Sequence, residues 1–258
     1  MPSSLTHQVE VMGTVVTLSL FDEAGLDGVR CESAFEEASG VLHEVDRVFS
    51  TYKADSPLSR LRRGELSLGQ APPEVADVLD LCRDAREATG GWFDPWAMPG
   101  GVDPTGLVKG WAAGRALEAL RASGAHGALV NAAGDLVGFG GVSEHQAFKA
   151  GIADPREPTR LAAVVVLRGA LATSGTYERG AHLMNPHTRV RESAVASASV
   201  TGDDPALADA WATALCVGGE AVLEHLGRAR GYEALLIGHD GRSVASAGFE
   251  LASDGARA

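Results

Sequence analysis

The sequence predicts an α+β fold in which helices pack on a mixed β-sheet. Segments with the two-residue apolar alternation of strands are mixed along the chain with segments of helical spacing. They lack the regular β-α succession that indicates a parallel α/β sheet. A chain of 258 residues suffices for one large domain or two small ones. Because no internal repeat, linker or low-complexity segment interrupts it, we expect one domain over residues 1–258, with a short frayed tail at residues 253–258.

Apolar periodicity and turn residues predict the individual elements. Strands are expected at residues 9–21, 128–131, 136–139, 147–153, 161–168, 170–174, 194–201, 234–237 and 243–246. Helices are expected at residues 29–49, 73–89, 108–123, 204–217 and 220–228, with a short one that begins at Ser56-Pro57. The clearest boundary is Asp204-Pro205, where a capping carboxylate precedes a proline at the first helical position.

Composition excludes several classes of protein. The net charge is −12, whereas nucleic-acid binders carry basic patches, so nucleic-acid binding is excluded as the main function. No apolar run reaches the roughly 18 residues of a membrane span, and residues 1–7 lack the pattern of a signal peptide. The cysteines Cys31, Cys82 and Cys216 lie far apart and without metal-ligand spacing. We therefore expect reduced core thiols and a cytoplasmic protein.

Asp209 and Thr213 form a candidate metal pair on the helix that begins at Pro205. At positions i and i+4 their side chains project from one face of the helix. Mg²⁺ prefers such hard oxygen ligands, with one or two protein carboxylates and the rest of its shell from substrate phosphates and water. The spacing alone also fits a surface aspartate beside a threonine that packs in the core.

The Gly- and Pro-rich segment at residues 90–106 is a second candidate, because irregular loops inside a domain are usually functional. Asp94, Asp103 and Lys109 cluster around glycines where the chain enters a helix, and backbone N–H groups at such an entry can face phosphate oxygens. Lysine can neutralise phosphate as a point charge. The alternative is a structural turn with aromatic core anchors. Three aromatic side chains of the loop are able to cover a flat ring: Trp92, Phe93 and Trp96.

A third candidate is the segment at residues 172–188, which follows a predicted strand. His182 offers an imidazole there, although a lone histidine is more often structural or exposed than catalytic. The nucleophile elbow of hydrolases is absent from the sequence. Hydroxyls of the segment come from Ser174, Thr176 and Tyr177.

In their order along the chain, these segments resemble the ApbE-type FAD:protein FMN transferases from about residue 9 to residue 249. The matching segments are MGTVVTLSL (12–20), FSTYKADSPLSRL (49–61), GGWFDP (90–95), VDPTGLVKGWAAGRA (102–116), VNAAGDL (130–136), LATSGTYER (171–179), HLMNPHT (182–188) and ADAWATALCVGG (208–219). Each segment alone is a weak signal, and the resemblance depends on all eight occurring in the family's order.

The resemblance implies an ApbE-like fold that binds FAD in a cleft between subdomains. It implies that FAD is split in the presence of Mg²⁺ and that its FMN half is joined by a phosphoester to a threonine or serine of a target flavoprotein, with release of AMP. The implied metal ligands are the side chains of Asp209 and Thr213 and the main-chain oxygen of Gly106. The implied FAD contacts are Met12, Tyr52, Trp92, Phe93, Asp94, Asp103, Lys109 and Met184. The implied catalytic residues are His182, Asp94 and Lys109.

Three residues depart from the family pattern, and none of them belongs to the metal pair. Ala133 replaces the first of two usual glycines, Asn185 replaces the usual aspartate, and Arg189 stands where glycine is common. Two other functions fit the same residues. The protein could hydrolyse FAD to FMN and AMP, with water in place of the acceptor hydroxyl, or it could bind FAD without catalysis.

Overall fold

The computed structural model describes residues 3–176 and 183–252. The predicted frayed tail at residues 253–258 lies outside them. In these ranges the strands are β1 (Ser3–Val11), β2 (Thr14–Asp22), β3 (Gly127–Ala132), β4 (Asp135–Phe139), β5 (Lys149–Asp154), β6 (Glu157–Val166), β7 (Gly169–Gly175), β8 (Ser197–Gly202), β9 (Glu233–Ile237) and β10 (Ser243–Ala245). The α-helices are α1 (Gly28–Phe49), α2 (Pro57–Arg62), α3 (Pro73–Ala88), α4 (Thr105–Leu120), α5 (Pro205–Gly218) and α6 (Glu220–Leu226).

Eight strands form one antiparallel sheet in the order β1-β2-β3-β4-β7-β8-β9-β10. Most neighbours in the sheet are also neighbours in the sequence. The exception is the β5–β6 hairpin, which leaves the sheet after β4 and forms a separate two-stranded sheet. The predicted α+β class is confirmed. The sheet was expected to be mixed, but it is antiparallel throughout, because each pair of neighbouring strands runs in opposite directions.

The two faces of the large sheet carry separate apolar cores. Helices α1, α4 and α5 lie against one face, which contributes buried residues such as Val16, Leu18 and Val200. On the other face the β5–β6 hairpin packs its own buried residues against the sheet. This second core includes Phe148, Ile152, Val165, Leu171, Leu235 and Ile237. We call the face covered by α1, α4 and α5 the helix face of the sheet.

Helix α5 begins and ends where the sequence predicts. The Asp204 side chain accepts hydrogen bonds from the backbone N–H groups of Ala206 and Leu207, at 2.8 Å and 3.1 Å. At the other end Gly219 has φ +60°, a conformation that glycine adopts without strain. The capping carboxylate and the terminal glycine therefore define the two ends of the helix.

Helices α4 and α5 approach each other closely at two glycines of α4. A Cβ atom on Gly110 would overlap the carbonyl oxygen of Pro205, and one on Gly114 would lie 2.8 Å from Pro205 Cγ. The absence of side chains at these positions lets the first turn of α5 rest directly on the backbone of α4. This contact positions Lys109, the residue before Gly110, beside α5.

The N-terminal strand is the main error of the sequence prediction. Residues 9–21 were expected to form one strand, but the chain reverses at Met12 and Gly13, with φ values of +54° and +72°. Two such residues make the tight turn that joins β1 to β2. The apolar alternation continues on both sides of the turn and therefore concealed it. The same turn places Met12, a predicted FAD contact, at the end of the hairpin.

A similar turn joins β3 to β4, and it contains the departure at Ala133. Ala133 has φ +53° and Gly134 has φ +92°, and the Asn131 side chain accepts a hydrogen bond from Gly134 N at 2.9 Å. Alanine is strained in this region of φ, which explains why glycine suits the position. Nothing lies within 4 Å of the place where a Cβ on Gly134 would stand, so the turn itself is open.

The three cysteines are free and buried, as predicted. Burial raises the pKa of the Cys82 and Cys216 thiols to about 12, so both are inert thiols of the core. Among the helices of the described ranges, none combines the length and the apolar character that crossing a membrane requires.

Substitution of Gly110 by alanine tests the α4–α5 contact. We expect Gly110→Ala to lower the free energy of unfolding by about 1–3 kcal/mol, because the new Cβ meets backbone rather than a flexible side chain. The matched control is Gly40→Ala in α1, where nothing lies within 4 Å. That change should raise stability by about 0.5–1 kcal/mol. Urea unfolding of both variants measures the difference, and equal stabilities would contradict the close contact.

Candidate functional site

The two predicted side-chain metal ligands lie on the face of α5 that meets α4 and the sheet. Asp209 is buried, with 4% of its surface exposed, and its Oδ2 accepts a hydrogen bond from Gly110 N at 3.2 Å. Thr213 Oγ1 lies 3.3 Å from the hydroxyl of Ser174 on β7. The alternative of an exposed aspartate on the surface is therefore wrong, because Asp209 points into the protein.

Gly106, the third predicted metal residue, lies beside Thr213. A Cβ atom on Gly106 would stand 3.1 Å from Thr213 Oγ1 and 3.2 Å from Phe93 Cε2. Residues that are about a hundred positions apart in the sequence thus come together at the first turn of α4. The glycine leaves room between its backbone and the Thr213 hydroxyl that a larger residue would fill.

These residues fit Mg²⁺ better than a metal held by many protein ligands. The side chains contribute one carboxylate, from Asp209, and one hydroxyl, from Thr213. Within the described ranges no three His, Cys, Asp or Glu side chains come together as a metal cage. Mg²⁺ characteristically takes one or two carboxylates and leaves other positions for phosphate oxygens and water.

Lys109 and Asp135 form an ion pair beside Asp209. The Lys109 Nζ lies 2.7 Å from Asp135 Oδ2, and 30% of the lysine side chain is exposed against 5% of the aspartate. The other carboxylate oxygen of Asp135 accepts a hydrogen bond from Thr173 N at 3.0 Å. Lys109 was predicted as a site residue, whereas Asp135 was not. The sequence feature that could have indicated Asp135 is its position directly after the Ala133-Gly134 turn, in the segment VNAAGDL.

Asp209 has an unusual protonation equilibrium. Burial, followed by repulsion from Asp135, raises the pKa of Asp209 to about 7. The positive charge of Lys109 and the hydrogen bond from Gly110 N act in the opposite direction. A carboxylate held here without a cation is costly, and a bound cation would stabilise its ionised form.

The predicted FAD contacts of the loop before α4 are near one another, but two of them are already engaged. Asp94 accepts hydrogen bonds from Trp96 N at 2.9 Å and from Arg86 Nε at 2.8 Å. Asp103 forms an ion pair with Arg62 at 3.3 Å, and its other carboxylate oxygen accepts a hydrogen bond from Thr105 N at 3.1 Å. These two carboxylates brace the loop between α3 and α4.

The aromatic residues of this loop differ in their surroundings. Phe93 is buried beside Gly106. Trp92 is half-buried, and its ring lies edge-on to His187 with a centroid separation of 4.5 Å. A Cβ on Gly218, at the end of α5, would lie 2.6 Å from Trp92 Cε3, so this glycine makes room for the indole. Trp92 is thus partly exposed to a ligand, whereas Phe93 is buried against Gly106.

The remaining predicted contacts are more scattered. Tyr52 is 96% exposed in the loop after α1. Met12 is half-buried at its turn, and Met184 forms an isolated β-bridge with Arg191. His182, the predicted catalytic histidine, lies outside the described residues. The structure thus brings Gly106 beside Thr213 and the charge of Lys109 close to Asp209, whereas Tyr52 lies exposed at the surface.

Two of the departures from the family pattern, Asn185 and Arg189, lie in one turn between β7 and β8. Asn185 is buried, and its side-chain oxygen accepts a hydrogen bond from His187 N at 2.9 Å, while its amide group donates to Glu192 at 2.7 Å. Arg189 has φ +58°, the conformation that favours glycine. The amide of Asn185 thus keeps the turn closed in place of the usual aspartate.

The fold and the site define an α+β protein with a polar centre between helices and sheet, and comparison with known proteins gives its family. The family model described as "ApbE family" matches residues 12–101 and 97–236, so the chain belongs to the ApbE family. A protein of Rhodobacter capsulatus named FAD:protein FMN transferase is 36% identical over 226 residues, which are 83% of this chain and 41% of that protein. The chain thus spans less than half the length of this relative.

Solved structures share the fold. The flavin transferase ApbE from Vibrio cholerae superimposes with a TM-score of 0.82 at 19% identity, covering 96% of this chain and 98% of that one. The flavinyl transferase ApbE from Pseudomonas stutzeri, solved in its apo form, gives 0.78 at 21% identity, covering 95% and 94%. The ApbE protein of Thermotoga maritima gives 0.82 at 19%, covering 95% and 97%.

The raised pKa of Asp209 predicts a pH-dependent stability without divalent cations. The folded protein holds a proton that the unfolded chain, with an aspartate pKa near 3.9, has lost above about pH 4. Its contribution to stability therefore falls as the pH rises from about 4 through 7, by up to a few kcal/mol. Asp209→Asn removes this titration. Relative to wild type, the variant should be more stable at pH 8 than at pH 5.

Urea unfolding in EDTA at the two pH values measures this difference, and subtracting wild type from variant cancels the other titrating groups. Addition of Mg²⁺ at pH 8 should stabilise wild type and leave Asp209→Asn almost unchanged. A variant whose relative stability is the same at both pH values would contradict the assigned ionisation.

Proposed function

We propose that this protein is a Mg²⁺-dependent FAD:protein FMN transferase, which joins FMN to a threonine or serine of a target flavoprotein. The observation that carries the proposal is the convergence of Asp209, Thr213 and Gly106 beside Lys109, in a chain of the ApbE family. The named activity of the Rhodobacter capsulatus relative supports it. FAD and the target flavoprotein are the partners that the proposal requires.

In this proposal the centre between α4, α5 and the sheet receives the pyrophosphate of FAD. A bound Mg²⁺ would offset the negative charge of the two phosphates. Asp209, Thr213 and the main-chain oxygen of Gly106 are the groups proposed to hold it. Lys109, whose side chain is partly exposed, adds a positive charge that stabilises the phosphate of the leaving AMP.

The transfer itself is a substitution at phosphorus. The acceptor hydroxyl oxygen forms a bond to the phosphorus of the FMN half, the anhydride bond to AMP breaks, and the hydroxyl proton passes to a side chain of the protein. His182 and Asp94 are the two predicted acceptors of that proton. Both oxygens of Asp94 already accept hydrogen bonds, from Arg86 and Trp96, which favours His182 for this role.

The flavin half of FAD needs a flat apolar surface. Trp92 is the best placed of the predicted aromatic contacts, since it is half-buried at the edge of the site. Tyr52 is exposed, and its role as an FAD contact stays a prediction from the sequence. The roles of Met12, Phe93, Asp103 and Met184 as FAD contacts, and the cytoplasmic localisation, stay predictions from the sequence.

The proposal is tested by the transfer reaction in vitro. Purified protein, FAD, Mg²⁺ and a candidate partner flavoprotein are incubated, and mass spectrometry measures the FMN added to threonine or serine while chromatography measures AMP. Asp209→Ala should lower transfer at least about 100-fold, because a metal clamp contributes several kcal/mol. Asp203→Ala, an exposed acid just before α5, is the matched control and should leave transfer unchanged.

The same experiment separates the alternatives. AMP released equally with and without the partner, and no labelled partner, would identify an FAD hydrolase. FAD that stays intact with wild-type protein, Mg²⁺ and partner would identify a non-catalytic FAD-binding protein. Unchanged labelling by Asp209→Ala would remove the metal assignment but keep the transferase.

A further inference from the structure

Asp135 is a buried carboxylate beside the site and is not among the predicted metal, FAD or catalytic residues. It is the first residue of β4, only 3% of its surface is exposed, and it lies on the helix face of the sheet. Two elements hold it in place. Its Oδ1 accepts a hydrogen bond from the backbone N–H of Thr173 on β7, and its Oδ2 pairs with Lys109 on α4.

In this ion pair Asp135 is the fixed partner, and Lys109 is the partner whose position the pairing restricts. A lysine ammonium is a compact charge on a flexible four-carbon stem, so it needs an external partner to occupy one position. Asp135 has a short side chain that a hydrogen bond from the sheet backbone already orients. Because β4 and β7 hold Asp135 in place, the 2.7 Å ion pair restricts the position of the Lys109 ammonium.

The stability of the fold does not by itself account for this pair. Buried ion pairs lose hydration energy that the attraction between the charges only partly offsets, and apolar residues in their place are often as stabilising. A buried carboxylate with this cost, directed at a lysine of the proposed phosphate site, indicates a role in that site.

We propose that Asp135 is a positioning residue that holds the Lys109 ammonium at the place where negative charge develops on the leaving AMP phosphate. This inference rests on the proposed function for its kinetic consequence. Its structural part, the immobilisation of Lys109 by Asp135, is independent of the activity and is tested separately.

The kinetic test is Asp135→Asn, which keeps the shape and the hydrogen bond from Thr173 N but removes the charge. A mobile Lys109 still reaches phosphate oxygens in the ground state, so the dissociation constant for FAD in EDTA should stay within about threefold. Misplacement of the charge in the transition state should lower kcat by about 10–100-fold. Asp135→Glu keeps the charge and should retain most of the activity, because a carboxylate still faces the Lys109 ammonium.

The matched control is Asp154→Asn. Asp154 is also a buried aspartate, it also accepts a backbone N–H, and it also pairs with a cation, Arg156, at 3.1 Å. It lies in the β5–β6 hairpin, on the opposite face of the sheet. Loss of the ion pair of a buried aspartate with a more exposed cation should affect both variants alike, whereas a role in positioning Lys109 should lower kcat only for Asp135→Asn.

The structural test uses the rarity of lysine, of which the sequence has only Lys53, Lys109 and Lys149. Protein labelled with ¹³C at lysine Cε gives three groups of NMR signals, and the group that disappears in Lys109→Met belongs to Lys109. Its relaxation should show restricted motion in wild type and free motion in Asp135→Asn. Asp154→Asn should resemble wild type.

The outcomes are distinct. Restricted Lys109 motion that is lost in Asp135→Asn, together with the selective fall in kcat, supports the proposal. Equal Lys109 motion in wild type and Asp135→Asn overturns it, as does a kcat within twofold of wild type. A loss of thermal stability with parallel losses in FAD binding and kcat means a structural role only, and also overturns it. Wild-type protein that neither labels the partner nor releases AMP contradicts the proposed function, and the NMR result then decides the positioning role alone.

Discussion

The contact between α4 and α5 at Gly110 is the constraint on which the candidate site depends. Because Gly110 has no side chain, the first turn of α5 rests on the backbone of α4, and Gly110 N can donate to the Asp209 carboxylate. Its neighbour Lys109 is thereby held beside the same helix. A wider separation of the two helices would remove that hydrogen bond and move Gly106 away from Thr213.

The sheet supplies the second half of the arrangement. Strands β4 and β7 are adjacent, and they present Asp135 and Ser174 to the helices on one face. Each of these side chains meets a helix residue of the site, Lys109 and Thr213 respectively. The helices thus carry the groups proposed to bind the substrate, and side chains of the sheet contact those groups.

Local signals were sufficient to predict α5, whereas the family resemblance, and not the spacing alone, singled out Asp209 and Thr213 as a candidate metal pair. Asp204, Pro205 and Gly219 define the ends of the helix, and the spacing of Asp209 and Thr213 then follows from helical geometry. The turn at Met12 was missed because strand alternation runs unchanged through a two-residue hairpin. Gly110 occurs in an ordinary helical pattern, and its close contact with Pro205 depends on residues about a hundred positions away.

Asp135 shows why some residues of a site cannot be predicted from local sequence patterns. One acidic residue after a turn has no distinguishing spacing, and its meaning comes from the neighbours that the sheet gives it. The pairing of β4 with β7, rather than with β5, brings Thr173 to its carboxylate. The order of strands in a sheet is a long-range property, which local periodicity does not contain.

The separation of the site residues along the chain has a consequence for synthesis. Domains emerge from the ribosome from the N-terminus onward, at about 5–20 residues per second. The first four strands and four helices, with Gly106, Lys109 and Asp135, are therefore available many seconds before Asp209 and Thr213. A nascent or truncated chain that ends before α5 leaves exposed the apolar residues of β7 and β8 that α5 covers, and it lacks Asp209 and Thr213. Helix α5 supplies both buried core residues and the Asp209–Thr213 pair, so the candidate site forms only when this helix packs on the sheet.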